Sequence, residues 1–483
     1  MFIRQIIKQT PILWGIFFLS ILTGCSVKEQ VTHSVDRTIL EIVDTEIKSA
    51  SLTRHAPLKS GNVIELYLGE AFLMAVRKNV DVNADQISYN QALIDVQQAE
   101  SQIWPRVSLD FRTEIPLDKD HIDESKWNGG GLFFKYDLMK ALLYKDNVYI
   151  MSVKQMQMKE KKIATLTRLY FEMLQLCYNL EFHRRMAALL EKEQTTIRRA
   201  FDRLPAHKPY DNRQQELSDY WTTKDQELNL KIMENRLRLE FSLDTLRQFI
   251  GQFGTEELII TDLDKYLPVI QNERSCFAEY RSFIEEAWNK RSEVSVAEKD
   301  LYLAEMAIIA AKYDRLPGLK ASLGLGNIPL TNQDVNSDIL LEFGISMPLI
   351  DMGDIKRKVQ KAINHRDLTK LKLTALARRI RTELRSVTLE IDIARQRYLK
   401  SRSSLEEAER QEQLIQKLIA VNRAEPMSLY KKQLETTAAL SAYEKSLFDY
   451  QTKLIKLEET KGDGKVALMS LHIDTNVLSS PPR

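Results

Sequence analysis

The chain alternates long stretches of heptad-spaced apolar residues with short stretches in which every second residue is apolar. Apolar positions alternately three and four residues apart run from Ile163 to Leu180, from Ile380 to Tyr398 and from Leu440 to Leu457. This spacing predicts helices that pack against partner helices with a left-handed supercoil. Period-two alternation predicts β-strands instead. It occurs in four stretches, at about 106–115, 130–138, 319–326 and 340–349.

Two junctions between a helix and a strand occur at corresponding positions of the two halves. Pro105 and Pro317 each follow a stretch rich in small residues, and each precedes a strand-like alternation. Proline lacks an N–H donor and disfavours helical backbone in the residue before it, so a helix must end there. Three alanine pairs are separated along the sequence by the same number of residues as these two prolines: Ala75 and Ala287, Ala92 and Ala304, Ala99 and Ala311. The sequence therefore predicts an internal duplication.

The predicted helix lengths indicate how the helices stack. A helix over about 140–201 would span roughly 93 Å. The helix ending at Pro105 and a helix over about 211–252 would together span roughly 98 Å. In the second half, a helix over about 353–422 would span roughly 105 Å, against roughly 93 Å for its two shorter partners. Each half therefore predicts one long helix beside two shorter helices laid end to end.

Residues 1–24 have the features of a signal peptide. A basic start precedes an apolar run, Pro11 to Leu22, which is too short to span a bilayer. The tetrad Leu22-Thr23-Gly24-Cys25 that follows resembles a bacterial lipobox, in which the cysteine is acylated, as with palmitate, and becomes the first mature residue. We expect lipid attachment at Cys25 and a linker over 25–62. The alternative is a plain secretory signal with a chance cysteine.

Composition and charge favour long helices and exclude some functions. The chain has 16 glycines and 13 prolines, whereas average usage would give roughly 34 and 24. Its 69 basic and 67 acidic residues leave a formal net charge of +2, without the basic excess typical of nucleic-acid binding. The seven histidines lack metal-ligand spacing, and no nucleophile or phosphate-binding motif occurs. We therefore expect no enzyme activity, no metal and no cofactor.

Several longer stretches carry a family resemblance, which covers about residues 63–462. They are EAFLMAVRKNVDVNADQ, ESQIWPRVSLD, EEAWNKRSEVSVAEKD, RLPGLKASLGL and ISMPLIDMGDIKRKVQKA. In their order and doubled spacing they resemble the TolC-like family of outer-membrane efflux proteins, here as a lipoprotein member. Pro348, Asp351 and Gly353 fit the family's strand-to-helix signature, and Pro105 and Pro317 occupy its helix-to-strand junctions.

The resemblance implies a mainly α fold with a small membrane β part. Long coiled-coil helices would form an α-barrel tunnel, and four strands per chain would contribute to the twelve-stranded β-barrel of a homotrimer. The implied repeats are 63–270 and 271–462, followed by a flexible tail over 463–483. The implied function is a passive exit duct of a tripartite efflux or type I secretion system. Its partners would be a periplasmic adaptor, an inner-membrane pump and outer-membrane lipid, with the helices in the periplasm.

The turns between the long and return helices depart from the family pattern. The family usually has a glycine there, whereas this chain reads FDRLPAHKPYD and NRAEPMSLYKK. Asp211 matches an acidic residue common after the first turn, but Lys431 and Lys432 stand where many members carry aspartate. With Arg203 and Arg423, these residues form the predicted periplasmic aperture. If they line the mouth we expect a preference for anions, and if they point into water, salt screens them.

A different class of protein would share several of these sequence features. A periplasmic coiled-coil lipoprotein, acting as an adaptor or scaffold without a pore, would share the signal peptide and the heptads. It would be expected to have a glycine-rich β domain beside a single hairpin, and no duplicated pair of strands. The chain has two pairs of predicted strands, which favours the duct.

Overall fold

The structure is a computed structural model in which the chain forms two compact units. It describes residues 63–104, 106–113, 128–137, 143–203, 212–251, 257–268, 276–314, 318–329, 339–346 and 353–464. The described part of the smaller unit is a two-stranded parallel sheet, in which β1 (Val63–Leu66) pairs with β4 (Glu257–Ile260). The larger unit contains the long helices and the remaining strands.

Helices and strands of the larger unit follow the same order in both halves. The helices of the first half are α1 (Leu68–Lys78), α2 (Val80–Ser101), α3 (Tyr144–Asp202) and α4 (Asn212–Ile250). Those of the second half are α5 (Tyr280–Lys290), α6 (Ser292–Tyr313), α7 (Asp354–Ala420) and α8 (Pro426–Lys461). The strands are β2 (Arg106–Thr113), β3 (Asn128–Asp137), β5 (Gly318–Pro329) and β6 (Ile339–Ser346). The four predicted strands are thus present, with ends within a few residues of those expected.

The long helix α3 contacts two shorter helices along successive parts of its length. Near its start it meets α2, where the Lys154 ammonium lies 3.3 Å from Asp95. Further along it meets α4, where the Asn235 amide donates to the His183 carbonyl oxygen at 2.9 Å. The predicted stacking of one long helix beside two shorter ones is therefore confirmed in the first half.

The second pair of shorter helices lies between α3 and the other long helix, α7. Helix α6 contacts α3 through Gln157, whose amide donates to Asp300 at 2.5 Å. Helix α8 contacts α3 through stacked rings of Phe182 and Phe448, with centroids 4.2 Å apart. Both α6 and α8 also pack against α7. The helical layer thus runs from α2 and α4 through α3, then α6 and α8, to α7.

The predicted heptad positions form the buried seams of this layer. In α3 the buried residues include Ile163, Leu166, Tyr170, Met173, Cys177 and Leu180. In α7 they include Ile380, Leu384, Val387, Ile391, Ala394 and Tyr398. Cys177 behaves as the small buried hydrophobe predicted from its heptad position. Burial, with the nearby Asp262, raises the pKa of its thiol to about 12.

Within the described residues, none of the helices has the length and apolarity needed to cross a membrane.

Candidate functional site: a two-faced sheet and a helical tip

The four strands of the larger unit form one antiparallel sheet in the order β2-β3-β5-β6. Cross-strand partners in such a sheet lie on one face, and neighbours along a strand lie on opposite faces. One row of partners is apolar on all four strands: Val107, Phe134, Leu323 and Leu341. The adjacent row is polar on all four: Arg106, Lys135, Ser322 and Glu342. The sheet therefore has one apolar and one polar face, as the alternation predicted.

Among the strands that the structure describes, the sheet ends in two open edges. β2 pairs only with β3, and β6 pairs only with β5, among the described strands. The outer N–H and C=O groups of an edge strand are available to pair with a strand from another chain. Neither edge strand contains proline within its bounds. This arrangement leaves the sheet open to extension at both sides.

The junction from β6 into α7 contains the predicted signature glycine. Gly353 is the N-cap residue of α7 and has a φ of +80°. A Cβ at this position would lie 3.8 Å from a guanidinium nitrogen of Arg357, so the requirement for glycine comes from the backbone conformation and not from crowding. Other predicted site residues lie outside the described residues: Cys25, Pro105, Asp211, Pro317, Pro348 and Asp351.

The turn between α7 and α8 shows how the chain turns without a glycine. Asn422 adopts a φ of +57°, a conformation that asparagine tolerates better than most residues. The Arg423 N–H donates to the Leu418 carbonyl oxygen at 2.8 Å, which closes the end of α7. Pro426 then occupies the first turn of α8, where a missing N–H costs no helical hydrogen bond. Asparagine and proline together replace the expected glycine.

Three of the four predicted aperture residues that the structure describes have partners in the same chain. The Arg203 guanidinium lies over the Tyr430 ring, 5.6 Å from its centroid, and the Lys431 ammonium lies over the Tyr220 ring at 5.2 Å. The Lys432 ammonium contacts Glu435 at 2.6 Å and Gln411 at 3.0 Å. Arg423 is exposed in the turn itself.

These contacts surround an apolar cluster that the sequence analysis did not single out. The tip cluster consists of Leu190, Ile197 and Ala200 on α3, Trp221 and Leu228 on α4, and Tyr430 and Leu434 on α8. A sequence signal was available, because aromatic residues stand beside both predicted turns: Tyr220 and Trp221 after the first, and Tyr430 after the second. Heptad counting within single helices could not pair them, because it does not specify which helices meet.

Helix α2 is held to α3 by polar contacts and leaves an apolar stripe exposed. Asp81, Asp85 and Asp95 pair with Arg168, Lys161 and Lys154 of α3 at 3.0 to 3.3 Å. Val80, Ile87 and Ile94, seven residues apart, are 78%, 68% and 53% exposed. Helices α4 and α7 also expose apolar residues: Leu230, Met233, Leu237 and Phe241 on α4, Leu368, Leu371, Leu389, Ile393 and Leu414 on α7, and Val421 directly after α7. Apolar side chains are thus exposed on the helices at both ends of the layer.

Buried charges concentrate where the shorter helices meet end to end. The Arg291 guanidinium, 10% exposed, contacts Glu383 of α7 at 3.1 Å. Burial alone would raise the pKa of Glu383, but hydrogen bonds from Arg379 and Arg291 outweigh it and hold this pKa below its usual value. The cavity beside these residues has a volume of about 600 Å³.

On α3, burial and neighbouring Lys159 lower the pKa of Lys162 to about 8. Within the described residues there is no cluster of metal ligands.

Solved structures, but no protein-family model and no curated protein, match the chain. The outer-membrane channel OprN is 13% identical over 82% of this chain and 89% of its own, with a TM-score of 0.63. The CmeC outer membrane channel of Campylobacter jejuni is 13% identical, with coverages of 84% and 89% and a TM-score of 0.61. The open MtrE outer membrane channel of Neisseria gonorrhoeae is 11% identical, with coverages of 82% and 89% and a TM-score of 0.64. These matches confirm the coarser part of the predicted fold, a mostly helical chain with few strands that is similar in fold to outer-membrane channels.

Proposed function

We propose that the chain is an outer-membrane exit duct. It would passively conduct substrates delivered by an inner-membrane pump and a periplasmic adaptor, in a tripartite efflux or type I secretion system. The observation that carries this proposal is the two-faced sheet, because strands that alternate between apolar and polar residues suit a wall between lipid and a water-filled lumen. The long coiled-coil helices continue from these strands and would extend into the periplasm. The fold shared with outer-membrane channels supports the same function.

The duct requires more than one copy of the chain. Four strands cannot close a membrane barrel, since the smallest known have about eight, and lipid does not tolerate unpaired strand edges. Joining β6 of one copy to β2 of the next would close a ring, and three copies would supply twelve strands. The exposed apolar residues of α2 and α4 at one end of the helical layer, and of α7 at the other, suit the same contact. The occupant of these faces is therefore a second copy of the chain, in a homotrimer.

Several finer features belong to this proposal. Cys25 would carry the lipid and assist delivery, while the barrel supplies the lasting anchor, because one acyl chain binds membranes only marginally. The matching order of elements supports an internal duplication with repeats over 63–270 and 271–462.

The residues that would surround the periplasmic aperture are Arg203, Asp211, Arg423, Lys431 and Lys432. Because Arg203, Lys431 and Lys432 have partners within the chain, Arg423 is the aperture cation with most freedom to face the lumen. The adaptor or scaffold alternative is disfavoured by the two pairs of strands.

The test compares two neighbouring residues on opposite faces of β5. Leu323→Arg would put a charge on the proposed lipid face, at a cost of about 2–4 kcal/mol near the bilayer midplane. Ser322→Arg would put the same charge on the polar face. We expect Leu323→Arg to reduce the amount of heat-modifiable oligomer recovered from outer membranes, and Ser322→Arg to leave it near the wild-type amount. Equal recovery of both variants would reject the assignment of the faces and with it the duct.

A further inference from the structure

We propose that a cavity between the helices binds a small water-soluble molecule that carries two or more phosphate groups. This joint cavity is the space of about 600 Å³ that lies where α6 begins and α8 ends, beside α3 and α7. Its walls belong to one chain, so the proposal does not rest on the exit-duct function or on how copies assemble. Six basic side chains line the joint cavity: Lys161, Arg168, Lys290, Arg291, Arg379 and Lys456.

The three acidic side chains that line the same cavity already have basic partners. Glu293 and Glu383 contact Arg291, at 4.0 and 3.1 Å, and Glu459 contacts Lys456 at 2.7 Å. The part of the chain that the structure describes contains no group of metal ligands. A cation would therefore have to displace a resident arginine or lysine, whereas an anion would give these cations an additional partner. The joint cavity thus favours an anionic ligand.

Two donors of the joint cavity still need an acceptor. Arg379 donates to Glu383 through Nε at 2.7 Å, and its two terminal nitrogens make no hydrogen bond with a described residue. Ser292 lines the cavity and is only 8% exposed, and its hydroxyl makes no hydrogen bond with a described residue either. Buried hydroxyl groups are normally hydrogen-bonded. An oxygen of a bound anion would supply the acceptor that Ser292 lacks.

Ser292 is also the first residue of α6, so the N–H groups of the first helical turn lie at the same place. The N-cap residue of α6, Arg291, makes no capping hydrogen bond with its side chain. The N-terminus of a helix carries a partial positive charge, and its N–H groups bind phosphate. Helix α6 has 22 residues and therefore has a developed dipole. The helix end and the Ser292 hydroxyl together mark one position for a phosphate group.

Basic side chains on other helices provide for a second anionic group. Lys161 and Arg168 of α3 and Lys456 of α8 have side chains that are 50% to 57% exposed. Exposed ion pairs contribute little to stability, so these side chains can turn from their present partners towards a ligand. A volume of about 600 Å³ is typical of a site for a small molecule and is more than one phosphate group fills. The ligand therefore carries at least two such groups.

The position of the joint cavity separates two possible sources of phosphate. Helix α6 runs from the cavity towards β5, and its 22 residues span about 33 Å. A lipid headgroup beside the strands would be too far away to enter the cavity. The ligand is therefore a dissolved molecule and not a membrane lipid.

Isothermal titration calorimetry of the purified full-length protein in an uncharged detergent tests the proposal, with inorganic pyrophosphate as the probe. We expect one pyrophosphate site per chain. Inorganic phosphate should bind at least about tenfold more weakly, because it can form fewer charge-assisted hydrogen bonds. Sodium chloride at the same ionic strength is the control for screening of surface charges. Absence of pyrophosphate binding beyond this control, or binding no tighter than that of phosphate, would overturn the proposal.

Substitutions on one helix then locate the site. Arg379→Gln should weaken pyrophosphate binding about tenfold, because it removes a charged donor, and Ser292→Ala about threefold, because it removes a neutral one. Arg402→Gln is the matched control and should bind as the wild type does. Arg402 also lies on α7 and contacts a glutamate four residues later, Glu406 at 3.2 Å, but it does not line the joint cavity.

Both arginines are exposed, so neither substitution should prevent folding, which far-UV circular dichroism checks. Wild-type affinity in Arg379→Gln or in Ser292→Ala would overturn the proposal. An equal loss of affinity in Arg402→Gln would also overturn it, because that loss would show that pyrophosphate binds to the general surface charge. Each of these measurements is made without conduction, so the proposal and the exit-duct function can fail independently.

Discussion

The two places where shorter helices meet end to end share a backbone plan and differ in side-chain chemistry. At the first joint, α4 is followed by Gly251 with a φ of +70°, next to Lys78. At the second joint, α8 is followed by Gly462 with a φ of +83°, next to Arg291. Both glycines occupy the left-handed region that ends many helices. Both halves therefore end the return helix in the same way, with a glycine in left-handed backbone conformation.

The side chains at the two joints differ in their reach. At the first joint (the local joint) the N-cap side chain contacts only its own helix, and at the second (the connected joint) it contacts two other helices. At the first joint Asn79 caps its own helix, since its side-chain oxygen accepts from the Val82 N–H at 3.0 Å. At the second, Arg291 stands in the corresponding N-cap position, but its guanidinium reaches Glu383 of α7 and the Thr460 carbonyl oxygen of α8. A single side chain thus joins three helices. Residues at equivalent positions of the two halves can therefore either cap their own helix or hold neighbouring helices together.

The largest difference should appear when the two glycines are replaced by alanine. A Cβ at Gly462 would lie 2.9 Å from the Arg291 backbone nitrogen, whereas a Cβ at Gly251 would meet only the flexible Lys78 side chain, at 2.7 Å. Both changes place an L-residue in left-handed backbone. Only Gly462→Ala also displaces the backbone of a neighbouring helix. We expect Gly462→Ala to destabilise the protein by about 3 kcal/mol and Gly251→Ala by about 1 kcal/mol.

The measurement is the thermal midpoint followed by far-UV circular dichroism in the same detergent for both variants. A larger loss for Gly251→Ala than for Gly462→Ala would reverse the ranking of the joints and contradict the geometry. Equal small losses would indicate that the Arg291 backbone moves easily, and that the second joint is no more rigid than the first.

A smaller difference is expected when the two N-cap side chains are truncated. Arg291→Ala removes a nearly buried partner of Glu383, although Arg379 still contacts that carboxylate at 2.7 Å. We expect a loss of about 2 kcal/mol, between the values typical of buried and exposed pairs. Asn79→Ala removes one capping hydrogen bond and should cost about 1 kcal/mol.

Chemical denaturation of Arg291→Ala, Asn79→Ala and Glu383→Gln, and of Glu383→Gln combined with each of the other two, separates the two mechanisms. Coupling between Arg291 and Glu383 in this double-mutant cycle, and none between Asn79 and Glu383, is the expected result. Additive losses for Arg291 and Glu383 would mean that the contact contributes nothing measurable, and the distinction between local and connected joints would fail.

Much of the fold follows from the sequence because its periodic signals are local. Heptad spacing in α3 and α7 predicted residues such as Leu166 and Leu384 that are 1% and 0% exposed. Alternation predicted the four strands and the separation of Leu323 from Ser322 on opposite faces. Proline and small-residue patterns predicted where α2 and α6 end. These properties depend on neighbours within a few residues and so can be inferred before any tertiary contact is known.

The chemistry of the tip could not be predicted in the same way. The sequence predicts that Lys431 and Lys432 lie near the second turn, but it does not predict that Lys431 lies over Tyr220 or that Lys432 pairs with Glu435 and Gln411. Such pairings depend on the rotation of each helix and on which helices meet, and neither is encoded in the period of one helix. The sequence shows that the second turn lacks a glycine, whereas the left-handed conformation of Asn422, which permits this turn, is seen only in the backbone.

Single-channel conductance in a planar lipid bilayer tests the central claim most directly. Purified full-length oligomer, added to one side of a bilayer under an applied potential, is predicted to produce discrete conductance steps, because the polar sheet face and helices would enclose a continuous aqueous path. Ser322→Arg protein, which should assemble normally, is predicted to alter the step size, since its new charge would face that path. A well-folded oligomer that inserts into the bilayer and produces no steps would contradict the account.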